Sequence, residues 1–450
     1  MGKAYRRCCN IVFYFKATFA FFISIYAMAY QVYMVHIPIR PLDPVYMPPI
    51  NSKDSQMCFH DTTAGRARLE PPADKFIFGF SLDWAIDHPQ ALRDRLGGPA
   101  VPLINTFVKI NNSGYEENII EWQAQLMQEQ GGMLEITLQP TVRADELEFD
   151  ILQKYAKFMR KINSKYGVAV LLRFMHEMNG NWMAYGFQPV EQKKTWITLT
   201  KLIREQTNMT AMVWSPNSGF GYPFGVSGFP PKGSEGFKML DTNNDGQITV
   251  LDDPYMPFYP GDEWVDWVGI SIYNYYRHSH TTHQTAAVPD FVFYDPNAVA
   301  TLRSDKNHLN FYDRFVVKTG KPFILSETGS AFAYNAPDSR PLIKNDLSLP
   351  LIDQEVQIKE SWWRAIFWIS ILDKDKKKLP KLKAAVWFEE MKEENSYDWD
   401  QYGPVNIIRD YRITFNSTVK DRFVKDLYDI GDRLLYAGKL RFTCNGTIIY

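Results

Sequence analysis

The chain of 450 residues has almost no net charge and little cysteine. Its 50 Lys and Arg side chains are balanced by 51 Asp and Glu, and only four cysteines are present. Nothing in this balance favours a nucleic-acid partner or a polyanionic substrate. No short-period repeat and no low-complexity tract is evident. The length is typical of one barrel domain with insertions and a tail.

Apolar and aromatic residues are abundant instead. They include 12 Trp and 25 Tyr, within a hydrophobic fraction of 45%. Such a chain can bury a large core. The flat faces of Trp and Tyr also suit stacking on sugar rings, although many of these residues are ordinary core residues.

One long apolar run stands near the start of the chain. Residues 11–35 are apolar and aromatic-rich, which is long enough for a helix to cross a bilayer. Basic side chains before this run favour a cytoplasmic N-terminus, so we predict that residues 1–36 form a type II signal anchor. The alternative is a cleaved signal peptide, because Ala27 to Ala29 fits a small-x-small cleavage site. Both alternatives export the rest of the chain, to the extracellular or luminal side.

Two further segments flank the predicted catalytic domain. Residues 37–74 are rich in proline and unpatterned, and we interpret them as a spacer, while residues 438–450 form a C-terminal tail. Cys58 and Cys444 lie near the two ends of the exported part. In an oxidising compartment they can pair as a disulfide, and the alternative is two free buried thiols.

Between residues 75 and 437, strand-like runs alternate with amphipathic stretches, which is typical of a (β/α)8 barrel. The predicted strands cover residues 76–82, 102–109, 133–139, 168–174, 210–216, 265–273, 322–328 and 383–389. Helical patterns cover residues 118–130, 147–164, 190–207, 353–373 and 418–435. In this fold the active site lies at the C-terminal ends of the strands.

Two glutamates stand at such strand ends. Glu177 follows the fourth strand in HEMNGNW, and Glu327 ends the seventh strand in FILSETG. A lone glutamate after a strand is usually a solvated loop charge. A pair at the mouth of one barrel indicates glycoside hydrolysis, which needs one acid and one nucleophile or base.

Five motifs then occur in an order that resembles glycoside hydrolase family 26. They are HEMNGNWMAYG (176–186), WSPN (214–217), DWVGISIY (266–273), SETG (326–329) and AVWFEE (385–390). The resemblance extends from Phe76 to Tyr436. It implies a retaining O-glycosyl hydrolase that needs no catalytic cofactor, with Glu177 as acid/base and Glu327 as nucleophile. The family contains β-mannanases and related β-glucanases and xylanases.

The resemblance also implies supporting residues. Tyr273 would hydrogen-bond the nucleophile, and Trp387 would form the floor under the sugar at the cleavage site. Trp182 would line an adjoining subsite. Arg173 and His176 precede the acid/base and would orient sugar hydroxyls or Glu327. The alternative for each aromatic residue is core packing.

A separate stretch, DTNNDGQITVLD, matches the spacing of a calcium loop. Its predicted structural calcium ligands are Asp241, Asn243, Asp245, the Gln247 carbonyl, Thr249 and Asp252. The last position is Asp rather than the usual Glu. The alternative is a polar turn that binds no metal.

The sequence therefore predicts a membrane-anchored, endo-acting glycosidase of a β-linked polysaccharide, with β-1,4-mannan as the first choice. The alternatives are a β-glucanase or xylanase of the same family, or a catalytically silent carbohydrate-binding barrel.

Overall fold

The computed structural model describes residues 67–98, 100–219, 221–225, 227–274, 311–336, 339, 351–367, 370, 379–398, 403–438, 440–442 and 448–449. The predicted membrane segment, most of the predicted spacer and both cysteines of the predicted disulfide, Cys58 and Cys444, lie outside these residues. Within the described part of the chain, no helix is long and apolar enough to cross a bilayer.

Eight parallel strands close into a barrel, as predicted. In chain order they are β1 Ile77–Leu82, β2 Leu103–Asn111, β3 Met133–Pro140, β4 Val170–Phe174, β5 Thr210–Trp214, β6 Trp267–Tyr273, β7 Phe323–Gly329 and β8 Leu382–Glu389. Each strand pairs with its neighbours in sequence order. The barrel is closed because β1 pairs with both β8 and β2.

Helices follow the strands on the outside of the barrel. The described α-helices are α1 Pro89–Leu96, α2 Glu117–Gln130, α3 Phe149–Tyr166, α4 Pro189–Gln206, α5 Glu235–Leu240, α6 Leu351–Phe367 and α7 Ser417–Ile430. Their apolar faces pack with the outward-facing strand residues in one large core. Five of them coincide closely with the predicted helical patterns, whereas α1 and α5 were not predicted.

The interior of the barrel changes from apolar to polar along the strands. One cluster of buried apolar side chains fills its N-terminal half, including Ile77, Leu103, Met133, Leu171, Val213, Trp267, Ile324 and Val386. Side chains alternate between the two faces of a strand, so the next inward positions follow two and four residues later. On six strands these positions carry polar residues, all buried: Ser81, Asn105, Glu135, Arg173, Ser215 and Ser271. The polar half is the one that meets the C-terminal mouth.

Strand β7 departs from regular pairing at the point where it enters this polar half. Against β6, Ile270 lies opposite Leu325, but the next pair is Ser271 with Glu327. Against β8, Ala385 pairs with Leu325 and Trp387 pairs with Thr328. One extra residue therefore interrupts β7 around Ser326, as in a β-bulge.

The bulge allows consecutive residues to face the same side. A Cβ atom on Gly269 would lie 2.5 Å from Ser326 Oγ and 3.0 Å from Ser215 Cβ, which places Ser326 inside the barrel. Glu327 is then brought opposite Ser271, another inward residue. Thr328 faces outward, because its hydroxyl accepts a hydrogen bond from Trp362 on α6.

The end of the predicted spacer belongs to the barrel. Leu69 is completely buried among the interior apolar residues, and Trp267 donates a hydrogen bond of 2.7 Å to the Arg68 carbonyl. Glu70 forms an ion pair of 3.1 Å with Lys381. The predicted boundary at residue 74 was therefore several residues too late, because one buried leucine gave no periodic pattern to detect.

Two small antiparallel sheets were not predicted. The first contains Phe332–Asn335, Met391–Asp398 and Gly403–Asp410, and the second pairs Arg441–Phe442 with Ile448–Ile449 in the predicted tail. Most of the first sheet consists of polar sequence such as MKEENSYD. A strand of this composition lacks the apolar alternation that identifies half-buried strands.

Candidate active site

Glu177 lies on a tight turn immediately after β4. Both Met175 and Glu177 have positive φ angles, 49° and 53°, which cost free energy in residues with side chains. The turn is held because Glu177 N–H donates to the Ser215 carbonyl at 2.9 Å. Asn179 and Asn217 add a reciprocal pair of hydrogen bonds, each 2.8 Å long. The backbone therefore fixes Glu177 against the loop that follows β5.

The Glu327 carboxylate is held by two strong donors. Arg173 Nη1 lies 2.8 Å from Oε2, and the Tyr273 hydroxyl donates to Oε1 at 2.6 Å. Burial alone would raise the pKa of Glu327. The neighbouring Arg173 guanidinium and these hydrogen bonds outweigh burial and hold that pKa well below its usual range. Glu327 is therefore an ionised carboxylate at neutral pH.

Arg173 is itself completely buried inside the barrel. Its Nε atom donates to Ser215 Oγ at 3.0 Å, and its Nη2 atom donates to Ser271 Oγ. These contacts fix the planar guanidinium, so it presents one edge to Glu327. The two serines were not predicted as site residues. Their signal was their position, since both lie inside quoted motifs at inward-facing strand ends.

The Glu177 carboxyl group has a different environment. Trp182 Nε1 donates to its Oε2 at 2.7 Å, and the nearby Ser271 hydroxyl lowers the pKa of Glu177 slightly. Burial and the negative charge of Glu327 raise the pKa of Glu177 to about 7. The structure thus brings the two predicted catalytic residues together and places a protonated acid beside an ionised carboxylate. This is the division of roles that acid and nucleophile require.

His176 is 2% exposed. Its Nδ1 atom lies 3.2 Å from the Tyr185 hydroxyl, and its ring packs edge-to-face on Phe107 with centroids 5.8 Å apart. Burial and the Arg173 charge lower the pKa of His176 to about 3, so the ring is neutral. Its described contacts are with protein groups behind the Glu177 turn.

The two predicted tryptophans have opposite environments. Trp182 is 43% exposed beside Glu177 and packs edge-to-face on Phe224, at 5.1 Å between ring centroids. Trp387 is 0% exposed, contacts Phe78 and Trp363, and donates to the Tyr411 carbonyl at 2.8 Å. The prediction that Trp387 forms the sugar floor was wrong, because its side chain points outward into the layer between barrel and helices.

The predicted calcium loop lies between β5 and β6 and begins where the short helix α5 ends. Asp241 accepts hydrogen bonds from the backbone N–H groups of Asp245 and Gly246, at 3.0 and 2.8 Å. Asp252 accepts from the backbone of Thr242 and Thr249, both at 2.7 Å. In the part of the chain that the structure describes, no group of three His, Cys, Asp or Glu side chains is placed to hold a metal ion. Calcium binding stays a prediction.

The other predicted ligands serve the same loop. The Asn243 side chain accepts from Asp245 N–H at 2.9 Å, and Gln247 N–H donates to Asp245 at 2.8 Å. The Thr249 hydroxyl accepts from Leu251 N–H at 3.2 Å. These contacts are the ones a polar turn makes within itself.

The sequence also matches a known family. The family model described as glycosyl hydrolase family 26 matches residues 111–230, which include Glu177 and its turn. The family resemblance predicted from the motifs is confirmed over these residues. The match supports an O-glycosyl hydrolase.

Several solved structures resemble the chain at low identity. The catalytic domain of a family 26 endo-β-1,4-mannanase from Bacillus sp. JAMB-750 has 15% identity and a TM-score of 0.44, with 81% of this chain and 88% of that one covered. A Cellulomonas fimi endo-β-1,4-mannanase double mutant has 14% identity and a TM-score of 0.46, with coverages of 83% and 79%. No curated protein matches the chain by sequence.

Proposed function

We propose that this protein is a retaining, endo-acting glycoside hydrolase that cleaves a β-linked polysaccharide by double displacement. The observation that carries the proposal is the pair of half-buried glutamates at the barrel mouth. One has its pKa raised by burial and by its neighbour, and the other has its pKa lowered by Arg173. A retaining glycosidase needs one protonated and one ionised carboxyl group at the start of its cycle.

In the first step, a Glu327 oxygen attacks the anomeric carbon while Glu177 donates its proton to the glycosidic oxygen. The bond between these two atoms breaks, and the leaving sugar departs with the proton. Arg173 and Tyr273 hold the attacking carboxylate in place before the reaction. The product of this step is a glycosyl ester of Glu327.

In the second step, the loss of charge on Glu327 changes the acid into a base. The negative charge that raised the pKa of Glu177 is gone in the ester, so that pKa falls. Glu177, now ionised, takes a proton from a water molecule whose oxygen attacks the anomeric carbon. Glu327 is released, and two inversions give net retention.

The substrate that we propose first is β-1,4-mannan, because the motifs resemble a family known for β-mannanases. β-Glucan and xylan are the alternatives within the family. A silent carbohydrate-binding barrel has less support, because a protein that only binds sugar has no need for two neighbouring carboxyl groups whose pKa values are shifted in opposite directions.

We further propose export of the catalytic domain with the N-terminal segment retained as a type II membrane anchor. The support is the sequence of residues 1–36. Resistance of the full chain to carbonate extraction, with Met1 or Gly2 at its N-terminus, is the expected result. A soluble protein that begins at Tyr30 would establish cleavage after Ala29.

A hydrolysis screen tests the enzymatic proposal. The purified chain is incubated with mannan, lichenan, xylan and laminarin, and the first-formed anomer is followed by NMR. We expect cleavage of one of these polymers with retention of the β configuration. Glu327→Ala is the inactive control, and Glu263→Ala, which changes an exposed glutamate, is the matched active control. Inversion of configuration, or hydrolysis by Glu327→Ala, would contradict the proposal.

A further inference from the structure

Across the barrel from the Glu177 turn lies a second group of polar and aromatic side chains that the chemical steps do not use. Asp83 and Trp84 follow β1, Glu390 follows β8, and Trp122 lies in the second turn of α2. All four stand at the C-terminal mouth. Strands β4 and β8 are opposite each other in the closed barrel order, so this group faces Glu177 from the other side.

The two tryptophans form a fixed, partly exposed pair. Trp84 Nε1 donates to the Asn105 carbonyl at 2.9 Å, which fixes its ring against β2. Trp122 packs edge-to-face on it, with centroids 5.7 Å apart and an angle of 68° between the rings. Trp122 nevertheless remains 43% exposed. An exposed aromatic surface at the mouth of the barrel indicates a binding surface rather than core.

The two carboxyl groups join this aromatic pair to the catalytic centre. Ser81 Oγ lies 3.3 Å from Glu390 Oε1 and bridges it to Asn105, also at 3.3 Å. Burial and the neighbouring Asp83 raise the pKa of Glu390 to about 7, and the charge of Glu327 acts in the same direction. Glu390 therefore lies within the electrostatic reach of the nucleophile on one side and of Asp83 on the other.

We propose that Asp83, Trp84, Trp122 and Glu390 form a subsite for a neutral hexopyranose unit on the glycone side of the cleavage site. The inference rests on the proposed function. Glu177 gives its proton to the leaving sugar, and Trp182 contacts Glu177, so the leaving part lies towards Trp182. The retained part then extends the opposite way, past Glu390 to the tryptophan pair. There the rings stack on sugar C–H groups and the carboxyl oxygens accept hydrogen bonds from hydroxyls.

The charge of the subsite predicts its selectivity. A sugar that carries a carboxylate would meet the Asp83 and Glu390 carboxyl groups, which are both partly buried, and repulsion between like charges is costly there. Neutral units are therefore accepted at this position and uronic acid units are rejected.

Chain-length kinetics test the subsite. For each variant, kcat/KM is measured on a single-unit aryl β-glycoside and on a six-unit oligosaccharide of the polymer that the wild type cleaves. We expect Trp122→Ala to lower the ratio of the long to the short substrate by about tenfold. Tyr428→Ala is the matched control, because it removes an exposed aromatic side chain from α7. A ratio that is equal in both variants and the wild type would overturn the subsite and leave the hydrolase standing.

A second arm tests the carboxyl groups. The combined change Asp83→Asn and Glu390→Gln should reduce the rejection of an oligosaccharide with a uronic acid at its non-reducing end by several-fold. Unchanged rejection would contradict the electrostatic selectivity.

Failure of the proposed function is distinguishable from failure of the subsite. If the wild type cleaves none of the four polymers, electrophoresis in gels that contain β-1,4-mannan measures binding directly. Retardation of the wild type that is lost in Trp122→Ala would then support the subsite without catalysis. An unretarded wild type would overturn both.

Discussion

The active site and the loop 241–252 use the same functional group in opposite ways. In the loop, Asp241 and Asp252 accept hydrogen bonds mainly from backbone N–H groups of the loop itself. In the active site, Glu327 accepts hydrogen bonds from Arg173 and Tyr273 on two other strands, and Glu177 accepts one from the Trp182 side chain in its own turn. Backbone donors shape a turn. Charged side chains from other strands set the protonation state of a carboxyl group.

This difference predicts where the loss of a carboxylate costs activity and where it costs stability. The largest effect should follow Glu327→Ala and Glu177→Ala, which remove the proposed nucleophile and the proposed acid. Each should lower kcat on polysaccharide by about 10³-fold or more while the domain stays folded by circular dichroism. An aryl glycoside with a good leaving group should partly rescue the first step in Glu177→Ala only. Near wild-type activity of either variant would contradict the catalytic role proposed for that glutamate.

A smaller loss should follow Tyr273→Phe, which removes one of the two strong donors to Glu327. The pKa of Glu327 should rise, so the acid limb of the pH profile of kcat/KM should move to higher pH. We expect a loss of about 10- to 100-fold in kcat/KM. Tyr259→Phe is the matched control, because that hydroxyl donates to Asp262 instead. An acid limb that does not move would show that Arg173 alone fixes the charge of Glu327.

The pH dependence of kcat/KM tests the different protonation states of Glu177 and Glu327. Catalysis needs Glu327 ionised and Glu177 protonated. Because the pKa of Glu177 is raised to about 7, the acid keeps its proton below that pH and loses it above. We expect kcat/KM to fall above pH 7 by about tenfold per pH unit. An activated aryl glycoside with Glu177→Ala should show no such alkaline limb. An alkaline limb that persists in Glu177→Ala would show that another titratable group causes the loss of activity.

Substitutions in the loop 241–252 should change the stability of the domain rather than the rate of catalysis. Asp252 is buried and accepts three backbone hydrogen bonds, from Thr242, Asn243 and Thr249. Asp252→Ala should lower the free energy of unfolding by about 1–3 kcal/mol, because buried N–H donors lose their partner. Urea denaturation measures this, and the exposed Asp421→Ala is the control. A loss of less than about 0.5 kcal/mol would show that the loop contributes little to the fold.

The smallest expected effect is that of calcium on the same loop. With a dissociation constant on the order of 10⁻³ M, 10 mM calcium should raise the melting temperature by about 1–3 °C. Asp241→Ala together with Asp245→Ala should abolish the response. EDTA should leave the chemical step intact. A melting temperature indifferent to millimolar calcium in the wild type would leave the polar turn as the better description.

The sequence predicted the barrel because each strand is a short apolar run between amphipathic helices, a pattern that survives without any knowledge of contacts. It also predicted Glu177, Glu327 and Tyr273, since each stands at a strand end inside a motif. Trp387 was misassigned because position in a motif does not reveal on which face of a strand a side chain lies. Ser215 and Ser271 were missed because only their position inside the motifs, and not their residue type, distinguished them from other serines. The proposed subsite around Trp84 and Trp122 depends on contacts between separate βα units. Such contacts cannot be predicted from one segment of the sequence.

The bulge in β7 makes the orientation of Glu327 depend on strand geometry as well as on residue identity. Ser326 and Glu327 both face the cavity because β7 has one residue more than β6 and β8 at this point. If β7 kept both residues and paired regularly, Ser326 would still face the cavity, but Glu327 would face Trp362 and α6. Arg173 would then lose the carboxylate that it contacts at 2.8 Å. A change in strand pairing alone can therefore disable the proposed active site while its motifs remain easy to recognise.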